Sequence, residues 1–323
     1  MEIVCSADNN YVMPIGIMLT SLLENNKDTK VNVHLLDGGL TDLSKSQLSD
    51  ICNQYNQHIS FYPMDDKLFE NFPMGESFQE THINSMATYY RLYMSKVLPT
   101  DIDKVIYLDG DVIILDSLLD MWNYPMEGKP IAAVPDPFNN SVRHYNRLRY
   151  SQALGYFNAG VLLVDLKYWR DNNCLELFLD IVKKYRTRLS AFDQDVLNVA
   201  FMNEKLFLPL KFNVMPCYLF KIQYNPISWE FEEEIVETQK HPVVVHFSYV
   251  PKPWNCDCNN PYKEEFEKYK KMTIWSERKE PRASSLREVI LNNIRKIMVR
   301  LGWKSEDCID EYKYIRRVGS LIH

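Results

Sequence analysis

Three short apolar runs separated by two helical stretches fill the first sixty-two residues, and that order limits the fold more than any other feature. Ile3 to Ala7 reads as a buried strand, Val12 to Leu23 has helical periodicity, and Val31 to Leu36 reads as a second strand. Asp42 to Tyr55 is expected to be a helix with Thr41 as its N-cap, and Ile59 to Tyr62 a third strand. A β-α-β-α-β order favours a mainly parallel sheet with helices on both faces. Ligands of such sheets bind beyond the carboxyl ends of the strands. Asp8, Asn9 and Asn10 stand at such an end.

Further along, Lys104 to Leu108 is apolar after its first residue and runs into Asp109-Gly110-Asp111, then Val112 to Leu115. Ile131 to Val134 reads as a strand ending at Asp136. Phe157 to Leu166 starts with Asn158-Ala159-Gly160, and Val243 to Phe247 carries His246. Ser85 to Val97, Leu175 to Tyr185 and Val196 to Met202 have helical patterns, whereas Phe138 to Leu154 has no clear period and reads as a loop or insertion.

At 323 residues the chain can bury a large core without disulfide staples, and 46% hydrophobic with 25% charged residues fits a soluble globular protein. Ten glycines are too few for several Gly-rich phosphate loops, and a net charge of −6 argues against nucleic acid as a partner. Seven scattered cysteines, an odd number, read as reduced thiols in the cytoplasm. The opening Met-Glu-Ile-Val-Cys-Ser has no basic leader, so no signal peptide is expected, and no apolar run reaches the ~18 residues of a membrane span. Residues 281–323 carry nine Lys/Arg against five Asp/Glu. There Leu286, Val289, Ile290, Ile294, Ile297, Met298 and Leu301 form one helical stripe, followed by Trp303. A basic amphipathic helix ending in Trp suits an anionic membrane surface; the alternative is a helix docked on the body. The expected division is a catalytic domain over 1–280 and a basic helical tail over 281–323.

Asp109 and Asp111, separated by Gly110 at the end of an apolar strand, can hold a hard divalent cation and leave sites open for diphosphate oxygens. The plain alternative is a solvated acidic loop. A haloacid-dehalogenase-type phosphatase also uses Asp-x-Asp after an apolar strand, with the first Asp as nucleophile. Its motif normally opens the domain, whereas three strands precede this one. His246 can complete a mixed carboxylate and imidazole site, and Lys252 can neutralise a departing diphosphate; a core histidine and a loop lysine are the bland readings. Asp193-Gln194-Asp195 precedes a helical pattern, as a cap or as a polar cluster gripping sugar hydroxyls.

Taken in order, Ser6-Ala7-Asp8-Asn9-Asn10-Tyr11, Thr88-Tyr89-Tyr90-Arg91-Leu92, Val105 to Val112, Tyr156 to Val161, Asp193 to Asn198 and His246 to Trp254 resemble glycosyltransferase family 8, over residues 2 to about 270. That family contains retaining bacterial lipopolysaccharide galactosyl- and glucosyltransferases and glycogenin. The resemblance implies a GT-A fold, a Rossmann-like mixed α/β sheet flanked by helices, binding a UDP-sugar with Mn²⁺, or with Mg²⁺ in its place. It implies Asp109, Asp111 and His246 as metal ligands. Ala7, Asp8 and Asn10 would hold uracil and ribose, and Lys252 the diphosphate. Arg91, Asp136, Asn158, Asp193 and Gln194 would surround the donor sugar. Asp193 and Gln194 would then be the catalytic pair, Gln194 by stabilising an oxocarbenium-like centre. Tyr249 stands where many members have Gly. The expected activity is transfer of galactose or glucose, with retention, to a surface glycan, glycolipid or glycoprotein at the inner face of the membrane. The non-enzymatic alternative is a nucleotide-sugar-binding protein.

Overall fold

The computed structural model describes residues 1–73, 86–137, 142–219 and 232–283, with 294, 297, 298, 301 and 302. Ser85, Phe138, Cys308 and most of the tail stripe with its cations lie outside the described residues. Nine strands form among them: β1 (Glu2–Ala7), β2 (Asn32–Asp37), β3 (His58–Pro63), β4 (Lys104–Leu108), β5 (Val112–Ile114), β6 (Ile131–Pro135), β7 (Phe157–Asp165), β8 (Lys205–Phe207) and β9 (Val244–His246). Seven make one mixed sheet in the order β3-β2-β1-β4-β7-β6-β8, while β5 and β9 pair as a small antiparallel ribbon. The first four in that order are parallel, as the opening sequence predicts, and β7 runs antiparallel to both neighbours.

The sheet divides the interior into two cores because successive side chains point to opposite faces. Along β4, Ile106 and Leu108 pack with Ile3, Cys5 and Val33 on one face. Val105 and Tyr107 pack with Val4, Trp169 and Phe178 on the other. Strands buried on both faces read as unbroken apolar runs, which is why β4 and β7 are plain in the sequence.

Helix α1 (Val12–Glu24) is buried from Val12 to Leu23, the signature of a helix covered on two sides. Its covers are the helix Asp42–Gln54, the ribbon strand β5, the helix Lys263–Lys270 and the chain near Trp275: a Cβ on Gly16 would lie 2.2 Å from the Trp275 ring and 3.1 Å from Ile51. Helix α2 (Asp42–Gln54) is amphipathic, with Leu48, Ile51 and Cys52 buried, and Thr41 Oγ1 accepts from the Ser44 N–H at 3.1 Å as the expected cap.

Two registers assemble the site. Pairing of Leu108 with Val161 sets Gly160 beside Asp109, whose N–H donates to Gly160 O at 2.8 Å. Pairing of Val112 with His246 sets the imidazole beside Asp111, whose carbonyl accepts from Phe247 N–H at 2.9 Å.

Two elements depart from the sequence expectation. The helix expected from Val196 starts at Phe192, so Asp193, Gln194 and Asp195 lie in its first turn. Asp195 accepts from the Ser190 and Ala191 N–H groups at 2.7 and 2.8 Å, holding the entry from inside the helix. Within the stretch read as a loop, Val142–Leu148 is helical and Gln152–Leu154 forms a 3-10 turn. Its period was hidden because the buried side includes His144 and the chain end of Arg147 is tied to Asp195.

Candidate active site

A cavity of about 250 Å³ opens beyond the carboxyl ends of β1 and β4. Ala7, Asp8, Arg91, Asp109, Asp111, Asn158, His246 and Lys252 line it, together with Tyr11 and Ser248. Asp193 and Gln194 stand one contact behind that wall, paired with Arg91 and Asn158, and Asp136 stands a contact further back, paired with Gln194. Asn10 is not brought to the wall. Its N–H donates to Asp8 Oδ1 at 2.8 Å, and its side chain lines a smaller cavity with Met13, Pro14 and Trp254.

Ligand atoms of Asp109, Asp111 and His246 all lie within 4.8 Å of one another. On each carboxylate one oxygen is held by groups outside this trio. Asp109 Oδ1 accepts from Arg91 at 2.8 Å and from Tyr107 Oη at 3.2 Å, and Asp111 Oδ2 accepts from Lys252 Nζ at 2.6 Å. Asp111 Oδ1 lies 3.3 Å from His246 Nε2. A Cβ on Gly160 would come within 2.7 Å of Asp109 Oδ2 and 2.3 Å of His246 Cε1, so the cradle exists only because residue 160 lacks a side chain. Two carboxylates and one imidazole form a mixed donor set that fits a divalent cation. Among the described residues, the Ser248 hydroxyl is buried with no hydrogen-bond partner, a second sign that the cavity is shaped for something polar.

Arg91 lies fully inside the protein between two carboxylates. Its guanidinium reaches Asp109 Oδ1 and, at 2.9 Å, Asp193 Oδ2; it also bonds the Ala159 carbonyl and stacks over the Tyr107 ring at 4.3 Å. Burial opposes its charge, but Asp109 and Asp193 outweigh burial and raise its pKa. Asp193 also accepts from Thr88 Oγ1. Burial nevertheless pushes the Asp193 carboxyl up to about 6, with Arg91 pulling the other way. Burial likewise raises Asp109. At Asp111 the balance reverses: Lys252 and His246 overcome burial and hold the carboxyl well below its ordinary range. One charged carboxylate is thus secured at pH values far into acid.

An amide chain runs behind the wall. Gln194 Oε1 accepts from Asn158 Nδ2 at 3.1 Å and from the Ala159 N–H at 3.0 Å, and its Nε2 donates to Asp136 Oδ2 at 2.9 Å. Both lone pairs of the Gln194 carbonyl are therefore engaged. Asn213, fully buried, joins the other end of the chain to His246. Sequence reasoning missed Asn213, because a single Asn between Phe212 and Val214 carries no spacing signal. It also took Gly160 only as part of a motif, and Asp195 as a cap or a member of a sugar-gripping cluster and not as a tie between helices. The charged, buried Asp195, gripped by Arg147 and Tyr156, signals itself only once the fold is known.

The sequence model described as glycosyl transferase family 8 matches residues 2–258. General stress protein A of Bacillus subtilis is 27% identical over 280 residues, covering 85% of this chain and 95% of that protein. The lipopolysaccharide 1,2-glucosyltransferase of Escherichia coli K12 is 25% identical over 256 residues, covering 79% and 73%. Among solved structures, the galactosyltransferase LgtC in complex with donor and acceptor sugar analogues superposes with a TM-score of 0.77 at 28% identity, over 85% of this chain and 96% of that one.

Proposed function

Because the chain belongs to glycosyl transferase family 8 and has the GT-A fold, we propose that it moves galactose or glucose from a UDP-sugar to a glycan, glycolipid or glycoprotein, keeping the anomeric configuration. The observation that carries this reading is the Asp109, Asp111 and His246 group at the wall of a cavity reached from the ends of β1 and β4. Family membership removes the phosphatase alternative.

Asp109, Asp111 and His246 would hold Mn²⁺, or Mg²⁺ in its place, and the ion would supply positive charge to the diphosphate as it leaves. Ala7 and Asp8 would meet the nucleoside, with Asn10 acting through its hydrogen bond to Asp8 rather than from the wall. Lys252, now paired with Asp111, would shift part of its hydrogen bonding to the diphosphate, strengthening as charge develops. Asn158 and Arg91 would border the donor sugar. Asp193 would answer positive charge at the anomeric carbon. The Gln194 carbonyl, with both lone pairs engaged, fits a fixed dipole and not a nucleophile. Asp136 orients that amide from the far side.

No helix among the described residues is long and apolar enough to cross a membrane. Ile294, Ile297 and Leu301 of the tail are each about half exposed, and membrane contact by residues 281–323 is a proposal that rests on the basic amphipathic pattern of the sequence. Co-sedimentation with anionic vesicles, lost on removal of 284–323, tests it; unchanged sedimentation of the shortened chain removes it.

The activity is tested with a panel of UDP-, GDP- and ADP-sugars, with Mn²⁺ or EDTA and no acceptor, following slow nucleotide release. Mn²⁺-dependent release of UDP from one hexose identifies the donor. UDP binding without release from any sugar, persisting when candidate acceptors are added, returns the case to a nucleotide-sugar-binding protein.

A further inference from the structure

The side chain behind His246 is an amide, and its orientation is fixed by backbone groups that cannot be reversed. The Gly160 N–H donates to Asn158 Oδ1 at 2.9 Å, so that atom is an acceptor. Asn213 Nδ2 donates to the same oxygen at 2.9 Å. Asn213 must then present Oδ1, and not its NH₂, to His246 Nδ1, 3.0 Å away. At the other end, the Ala159 N–H fixes Gln194 Oε1 as an acceptor in the same way. Asn213 itself is held by β9: Val214 forms a bridge to Val245, and the His246 N–H donates to Val214 O at 3.0 Å.

We propose that Asn213 is a positioning residue of the metal centre, keeping a proton on Nδ1 of His246 so that Nε2 presents its lone pair to the ion beside Asp111. This rests on the assignment of Asp109, Asp111 and His246 as the metal group. Histidine ligands are generally oriented by an acceptor on the second ring nitrogen, and loss of that acceptor typically lowers metal affinity 10–100-fold. A carbonyl oxygen at 213 meets this need. Asn213 also shares Asn158 Oδ1 with Gly160, so one buried amide links the metal group to the residue that holds Gln194.

The test measures Mn²⁺ binding to the full chain in the presence of UDP, from the loss of the free-ion electron paramagnetic resonance signal. Asn213→Ala should weaken binding about 10–100-fold. Asn213→Asp keeps an acceptor for Nδ1–H but turns a second oxygen toward Asn158 Oδ1, so it should bind more tightly than Asn213→Ala and less tightly than the wild type. Binding by Asn213→Ala equal to that of the wild type, or Ala and Asp variants impaired alike, overturns the proposal. A measurement on the wild type covers the case in which the variants do not fold. In the Mg²⁺-loaded protein, nitrogen NMR of the His246 ring should show the proton on Nδ1; a proton on Nε2 overturns it. His246→Ala separates the underlying assignment. If that variant binds Mn²⁺ as well as the wild type does, the metal reading itself falls, whatever residue 213 does.

Discussion

The Ser248 hydroxyl is buried against the cavity without a partner among the described residues. A buried polar atom left unpaired destabilises the ligand-free protein, and pairing it with a ligand recovers that energy. Ser248→Ala should therefore leave the unfolding midpoint unchanged or slightly raised, while UDP affinity measured by calorimetry falls about 5- to 10-fold, the worth of one hydrogen bond. A drop in both would mean that the hydroxyl already has a structural partner. Asp193 tells a related story through its charge. Its folded pKa of about 6 lies above the ordinary 3.8 because burial outweighs Arg91. The folded state thus binds this proton more tightly than the unfolded chain. The resulting stability is present in full below about pH 4 and is lost as pH rises through 6. A gap of about two units corresponds to roughly 3 kcal/mol. Asp193→Asn mimics the protonated form. In the metal-free protein it should match the wild type at pH 4 and exceed it by up to roughly 3 kcal/mol at pH 7 in denaturant unfolding. Turnover should fall about 100-fold as the carboxylate that holds Arg91 at the cavity wall loses its charge. Equal stability differences at both pH values would show that Asp193 is ionised throughout. The carboxylates and the late His and Lys were legible in the sequence because strand ends and short spacings announce them. Asn213 was not, because its value lies in contacts between residues far apart in the chain: His246, and Asn158 across the sheet.

At the scale of elements, the helix Phe192–Ala200 carries Gln194 on one side and is tied on the other to the helix Val142–Leu148. Arg147 Nη1 and Nη2 donate to Asp195 Oδ2 and Oδ1 at 2.8 and 3.1 Å, and Tyr156 Oη donates to Asp195 Oδ1 at 2.8 Å. Asp195 is wholly buried, whereas Arg147 keeps about a quarter of its side chain exposed. Removing the cation strands the charge on Asp195 among its remaining partners, and breaking a buried pair typically costs about 3–5 kcal/mol. The partial exposure of Arg147 and the surviving Tyr156 and backbone bonds place the expected loss for Arg147→Ala lower, at about 2 kcal/mol. Asp195→Asn should overlap with it. The double-mutant cycle should give a coupling above about 1 kcal/mol, as expected for residues in one network, and additive losses would show that the two helices are not joined by this pair. Strands buried on both faces and the capped α2 were legible because one local period explains each. Val142–Leu148 was not, since its inward side mixes Tyr145 and Leu148 with His144. The three-residue β8 is too short to show any period at all.

Across the whole molecule, the sequence places a boundary after residue 280, yet the contacts of the body continue to Ala283, whose N–H donates to Asp257 Oδ1 at 2.9 Å. Cys256 N–H donates to Pro281 O at 3.0 Å, and Glu280 accepts from both Lys263 and Lys270. Between these points Trp275 lies on Gly16 of α1. The segment 271–283 is therefore a strap that adds to the cover that α2 and the helix Lys263–Lys270 give α1, a helix buried on nearly every residue. Composition alone could not reveal this, because neither a lone Gly inside an apolar helix nor a Trp in a polar stretch names its partner. A chain ending at 283 should unfold at the temperature of the full chain. One ending at 270 should unfold several degrees lower, having lost the Trp275 cover and the Glu280 carboxylate beside the buried Lys270. Trp275→Ala should cost about 2–4 kcal/mol, below the upper range for a fully buried aromatic because the ring is only partly covered. Gly16→Ala gives the sharper reading. In the wild type its methyl meets the indole and should destabilise by about 1–3 kcal/mol. In Trp275→Ala the same methyl enters vacated space and a helical Ala replaces a helical Gly, so the effect should shrink or change sign. Equal losses in both backgrounds would show that Trp275 does not rest on Gly16 in solution, and the strap would have to be held by the Glu280 contacts alone.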